Sequence, residues 1–223
     1  MPHALITGAS DGIGRALVDV YHAKGWEITA TARRPHEAVS PPLPCNYVPL
    51  DLTKPADTLL DALPERLDLA ILNAGAGKVA PPEDHSAEDI AQMIALNTTA
   101  QLLLAHALFP RLQGGTLAFI GSTAARGAHK DFSVYAATKA AISGAARSLA
   151  LEWEGRVKVL MLHPGPTATA MHDKAGLGDI AARRFFTPPA KVAASLAQAI
   201  DAGKNRRLGA AYTARHALGG LFK

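Results

Sequence analysis

The chain has 223 residues, 48% of them hydrophobic and 19% charged, which is enough apolar material for one buried core and excludes a disordered chain. Its net charge of +4 is spread in short pairs, Arg33-Arg34, Arg183-Arg184 and Arg206-Arg207, so a clustered nucleic-acid footprint is not expected. The single cysteine, Cys45, excludes an intrachain disulfide and a thiolate cluster, and the nine histidines show no metal-ligand spacing, so no metal is expected.

Short β-branched or apolar runs alternate with longer amphipathic ones along the chain, the pattern of a parallel sheet covered on both faces. The predicted strands are 4–7, 27–31, 47–50, 69–72, 116–120 and 157–162, and the predicted helices are 14–24, 56–63, 87–95, 98–112 and 134–154. A strand-like run begins at His3 with no basic and apolar leader before it. The most apolar long segment, 93–109, is interrupted by Asn97, Thr98, Thr99, Gln101 and His106. Membrane insertion is therefore not expected, and a cytoplasmic location is. Residues 170–186 lack a clean period and read as a mobile substrate loop ahead of a last helix near Pro188. The expected architecture is a doubly wound, Rossmann-type α/β sheet in a single domain over 1–223. Ligands in such sheets bind beyond the carboxyl ends of the strands.

Those strand ends carry the informative residues. The first strand leads through Thr7-Gly8-Ala9-Ser10-Asp11-Gly12-Ile13-Gly14 into a helix. Glycines at 8, 12 and 14 permit a tight turn and close approach of a pyrophosphate, and the helix N-terminus offers free amides. The second strand ends in Thr31-Ala32-Arg33-Arg34, where a cation suits the extra phosphate of NADP(H) and an acid would suit NAD(H). Asp11, close by in sequence, works against an added phosphate. Asp51-Leu52, Asn73-Ala74-Gly75 and Gly121-Ser122 follow the next three strands. Tyr135 and Lys139 are one helical turn apart and share a face, and an ammonium beside a phenol lowers its pKa toward working pH. That pair suits a general acid and base.

Taken together, the chain resembles the classical short-chain dehydrogenase/reductase family. The matching residues are the glycine loop Thr7 to Gly14, Asp51, Asn73-Ala74-Gly75, Asn97, Ser122, the pair Tyr135 and Lys139, and Pro164-Gly165 with Thr169, spanning roughly three-quarters of the chain. The resemblance implies that Tyr135 exchanges the proton and Ser122 hydrogen-bonds the substrate oxygen. It further implies that Lys139 binds the nicotinamide ribose and tunes Tyr135, while Asn97 holds a water of the proton relay. A dinucleotide would then contact Gly8, Ser10, Gly12, Ile13, Gly14, Arg33, Arg34, Asp51, Leu52, Asn73, Ala74 and Gly75. At its nicotinamide end it would meet Tyr135, Lys139, Pro164, Gly165, Thr167 and Thr169. The implied protein is an NADP(H)-dependent oxidoreductase acting on a small carbonyl or alcohol, assembled as a homodimer or homotetramer through 98–112 and the Tyr135 helix. An NAD(H)-preferring alcohol dehydrogenase and a non-catalytic NADP(H) sensor remain as alternatives. The segment after Thr169 is short for the family, and residues 208–223 lack its glycine-rich ending, which leaves the substrate unnamed.

Overall fold

A computed structural model describes residues 1–169 and 186–207. The strands are β1 (His3–Thr7), β2 (Glu27–Ala32), β3 (Asn46–Pro49), β4 (Leu69–Leu72), β5 (Thr116–Ile120), β6 (Lys158–His163) and β7 (Arg206–Arg207). They form one parallel sheet in the order β3-β2-β1-β4-β5-β6-β7. The order reverses between β1 and β4, so a crevice opens at their carboxyl ends, as in other doubly wound sheets. The two-residue β7, beyond the six predicted strands, is too short to show a period.

The helices are α1 (Gly12–Ala23), α2 (Asp57–Asp61), α3 (Ala87–Ile94), α4 (Gln101–Leu108), α5 (Ser133–Glu152) and α6 (Pro189–Asp201). One face of the sheet is sealed by α1 and α6 through Leu17, Val18, Tyr21, Val192 and Leu196. The other face is covered by Leu59, Leu104, Leu108, Ile142 and Leu149 from α2, α4 and α5. Both faces being buried explains why the strands read as continuous apolar runs.

The break expected between residues 95 and 98 is absent. A π turn over Ala95–Ala100 joins α3 to α4, so 87–112 forms one continuous helix. That helix is long and apolar enough, by length and composition, to cross a membrane. Its inward side chains, Met93, Ala100, Leu104, Ala105, Leu108 and Leu112, are nevertheless buried in the fold. The expected mobile loop lies almost wholly outside the described residues, as does the C-terminal tail.

Candidate active site

The turn from β1 into α1 is built for close approach. Gly8 and Gly12 have positive φ (67° and 55°), the region that favours glycine. A Cβ on Gly8 would stand 2.8 Å from Ala74 Cα, and one on Gly14 would strike the Gly8 carbonyl. A Cβ on Gly12 would stand 2.9 Å from Thr169 Cγ2, so Thr169 closes over the loop from the far side of the crevice. Asp11 caps α1 by accepting the Gly12 N–H at 2.7 Å. Ser10 is partly exposed on this loop, and Ile13 packs its side chain on the core.

Thr7 stitches the loop to the end of β4. Its Oγ1 accepts the N–H groups of Asn73 (2.9 Å) and Ala74 (3.0 Å), while Asn73 Nδ2 donates to the Thr7 carbonyl at 3.0 Å. Ala74 is fastened from below by Gln101, whose Nε2 donates to its carbonyl at 2.7 Å. Beyond β2, Arg33 is exposed, and its charge helps hold the Asp51 carboxyl below its usual range. The larger cause there is the Thr53 N–H, which donates to Asp51. Leu52 packs its side chain against the core. Arg34 pairs with Asp11 at 3.4 Å, which places that acid beside a cation.

The four residues expected to carry the chemistry come from three places in the fold: the π turn, the end of β5 and α5. Asn97 sits in the π turn, fully buried, and such an insertion re-aims side chains that a regular helix would point elsewhere. Its Oδ1 accepts the Ala76 N–H (2.8 Å), and its Nδ2 donates to the Ala76 carbonyl (2.8 Å) and to Thr138 Oγ1 (3.1 Å). Thr138 in turn donates to the carbonyl of Tyr135 at 2.8 Å. Gly75 completes this corner: a Cβ there would lie 3.2 Å from both Asn97 Oδ1 and Lys139 Nζ. Asn97 and Lys139 thus face one small gap that only glycine leaves open.

Ser122 follows β5, and its Oγ accepts the Ala124 N–H at 3.1 Å. Lys139 Nζ lies 6.0 Å from the Tyr135 ring centroid and donates to the Ile120 carbonyl at 3.1 Å. Burial lowers the Lys139 ammonium from 10.5 to about 8. The Tyr135 phenol departs from the sequence expectation: desolvation pushes it above its ordinary value, and the interaction with Ser122 pulls the other way. Desolvation is the larger influence on the phenol, and Lys139 gives its hydrogen bond among the described residues to the Ile120 carbonyl. Phe132 packs edge-on against the Tyr135 ring at 6.3 Å, and His129 lies 5.9 Å beyond Phe132.

After β6, Pro164 and Thr167 are buried, Gly165 is partly exposed, and Thr167 Oγ1 donates to the Gly165 carbonyl at 2.9 Å. Thr167 also bridges Thr187 in parallel. Every residue named for the site therefore lies at the carboxyl edge of the sheet or on the helices facing it. Thr138, Gln101 and His163 were not anticipated. The only sequence signal for them is a polar residue in a run that is otherwise apolar or helical.

The short chain dehydrogenase family model matches residues 2–180. The D-threitol dehydrogenase of Mycolicibacterium smegmatis is 30% identical, with 89% of this chain and 86% of that protein covered. The serine 3-dehydrogenase of Agrobacterium fabrum is 32% identical, covering 74% of this chain and 72% of that one. Among solved structures, a short-chain dehydrogenase from Sphingobium yanoikuyae in complex with NADPH superposes with a TM-score of 0.81 at 26% identity. It covers 100% of this chain and 95% of that chain. One from Burkholderia cenocepacia in complex with NADP gives 0.81 and 26%, with 93% and 96% covered. The sheet, the glycine turn and the buried lysine beside a tyrosine define a nucleotide-dependent oxidoreductase of the Rossmann class. The chain belongs to the short-chain dehydrogenase/reductase family.

Proposed function

We propose that the protein transfers hydride between NADP(H) and the carbon of a small carbonyl or alcohol, with Tyr135 handling the proton. The observation that carries this reading is the convergence of Asn97, Ser122, Tyr135 and Lys139, from three elements, at the crevice beyond β4 and β5. The crevice suits a dinucleotide, because α1 begins at its edge directly after the tight turn of Gly8 and Gly12 and offers its free N-terminal amides there to a pyrophosphate. Gly8, Ser10, Gly12, Ile13 and Gly14 would hold its pyrophosphate side, Asp51, Leu52 and Asn73 to Gly75 its adenosine, and Pro164, Gly165, Thr167 and Thr169 its nicotinamide. The bound nicotinamide supplies or accepts the hydride.

The side chains do the rest. In reduction Tyr135 gives its phenolic proton to the substrate oxygen, and in oxidation it takes that proton back. Ser122 accepts the Ala124 N–H on its oxygen, which leaves its hydroxyl hydrogen to donate to the same substrate oxygen as charge grows there. Lys139 sets a positive charge beneath the phenol, and Asn97 fixes the wall of the gap through which a proton is replenished. NADP(H) is favoured by Arg33, exposed at the end of β2 with no acid at that strand end, and the solved relatives above were bound to NADPH and NADP. A preference for NAD(H) has one observation on its side, since Arg34 is already paired with Asp11. Assembly as a homodimer or homotetramer belongs to the same reading, through the outer faces of α4 and α5.

Purified protein should oxidise NADPH in the presence of some members of a panel of aldehydes, ketones and quinones. Tyr135→Phe should lower kcat by about 10²–10⁴-fold, the range for a positioned acid or base, while NADPH still binds. Arg33→Ala should raise the KM for NADPH about tenfold or more, the worth of one charge-assisted hydrogen bond, and leave NADH unaffected. Full activity in Tyr135→Phe would remove the catalytic assignment. A wild type that prefers NADH would reverse the cofactor assignment, and one that binds NADPH without turning over any of the panel would favour a sensor.

A further inference from the structure

His163 ends β6 and is only 5% exposed, in a strand whose preceding residues Val159 to Leu162 are all buried and apolar. A buried imidazole needs hydrogen-bond partners. Its Nδ1 lies 3.0 Å from the carbonyl oxygen of Ser122. A carbonyl only accepts, so Nδ1 carries the hydrogen and donates it, which fixes the ring tautomer on that side.

The surroundings show why a side chain makes this bond. Around Ser122, Gly121 N–H donates to the Leu162 carbonyl (2.8 Å) and Thr123 N–H to the Pro164 carbonyl (3.2 Å). The peptide that joins Ser122 to Thr123 turns its N–H to β6, so its carbonyl faces away from the backbone of that strand and gets no ladder donor from it. The imidazole of His163 supplies the donor to that carbonyl. Gly121 makes room for it: a Cβ there would stand 2.9 Å from His163 Nδ1 and would strike Met161 Cε.

We propose that His163 is a positioning residue for Ser122, whose Nδ1–H holds the peptide that presents the Ser122 hydroxyl to the substrate oxygen. The proposal rests on the role given to Ser122 above. The local bond from Ala124 N–H sets the direction of the hydroxyl, and His163 sets the place of the backbone beneath it.

The amide nitrogen of asparagine can occupy the place of Nδ1, whereas that of glutamine reaches one atom further. His163→Ala and His163→Gln should therefore lower kcat by an amount on the order of a hundredfold, the scale of a reacting group misplaced by an ångström. His163→Asn should stay near wild type, the KM for NADPH should hold in all three, and His163→Ala, which leaves a cavity and an unanswered carbonyl, should melt lower, so kcat is compared well below its melting temperature. In a Ser122→Ala background, His163→Ala should add no further loss, because one residue acts through the other. If kcat survives in His163→Ala, or falls as far in His163→Asn as in His163→Gln, the proposal is overturned. If Ser122→Ala is itself silent, the role of Ser122 fails instead, and the two failures are told apart. The ¹⁵N shifts of the assigned His163 ring in unmodified protein give a readout independent of activity and of variant folding. A protonated Nδ1 is expected, and a bare Nδ1 would refute the geometry.

Discussion

Lys139 enters the core on α5 with the Ile120 carbonyl as its hydrogen-bond partner among the described residues, and burial brings its ammonium down to about 8. A single neutral acceptor does not replace the water that an ammonium loses, so the side chain costs stability where it serves function. The direction with pH follows from the two protonation states. The folded lysine releases its proton near 8 and the unfolded one near 10.5, so between those values the unfolded chain holds more protons. The penalty is full below about 8 and is relieved as the pH rises toward 10.5. Lys139→Met should therefore abolish turnover yet melt at least as high as wild type at pH 7. The difference between them should shrink across that alkaline window. Paired thermal melts from pH 7 to 10.5 check this, and a Lys139→Met protein that is markedly less stable at pH 7 would show the lysine to be a structural tie. The sequence makes this pair visible through its spacing. It does not show that Lys139 turns toward Ile120, because that carbonyl comes from a strand nineteen residues earlier.

The long helix from Ala87 to Leu112 shows where local pattern is reliable and where tertiary packing overrides it. Its start is legible: Ser86 accepts the Asp89 N–H (3.1 Å), and Asp89 accepts the Ser86 N–H (3.0 Å), a capping box written in the sequence as Ser-x-x-Asp. Its middle is not. The sequence parts two helices at Leu96-Asn97, but the fold runs a π turn through that point and carries Asn97 inward to Ala76 and Thr138. Ser86→Ala should cost about 1 kcal/mol in urea unfolding, the usual worth of an N-cap. Asp89 adds a pH dependence of the same sign as that of Lys139, stability rising with pH, but as a gain completed in acid rather than a penalty relieved in alkali. Hydrogen bonds from Lys78 first, then Ser86, hold its carboxyl down to about 2, from 3.8. Its contribution is complete above about 3.8 and disappears as the pH falls through 2. Asp89→Asn should lack that acid step, which equilibrium unfolding at pH 2 to 5 would reveal.

At the scale of the molecule, the strand order and the placement of polar residues at strand ends follow from one fact, that both sheet faces are buried and only the carboxyl edge is free to bind. That is why the glycine turn, Asp51, Asn73 to Gly75 and Ser122 could be placed from the sequence, while the reach of His163 to Ser122 and the two-residue β7 could not. The same layering leaves an outer surface unexplained. Leu103 on α4 is 67% exposed, Leu151 on α5 is 76% exposed, and Ile94 at the end of α3 is 45% exposed. Each leucine fully buried against a partner would contribute roughly 1.5–3 kcal/mol, and a two-fold contact counts every such residue twice. The assembly inferred for these helices should therefore show in solution as a mass at least twice that of one chain by light scattering. Leu103→Glu combined with Leu151→Glu should return the protein to a single chain without unfolding it. A wild type that runs as one chain would remove the assembly from the reading. Asn97 lies in the π turn that runs into α4, and Tyr135 and Lys139 lie on α5. A contact across those helices would hold the catalytic corner from outside, and the dissociated variant should lose kcat while its circular dichroism and NADPH affinity remain.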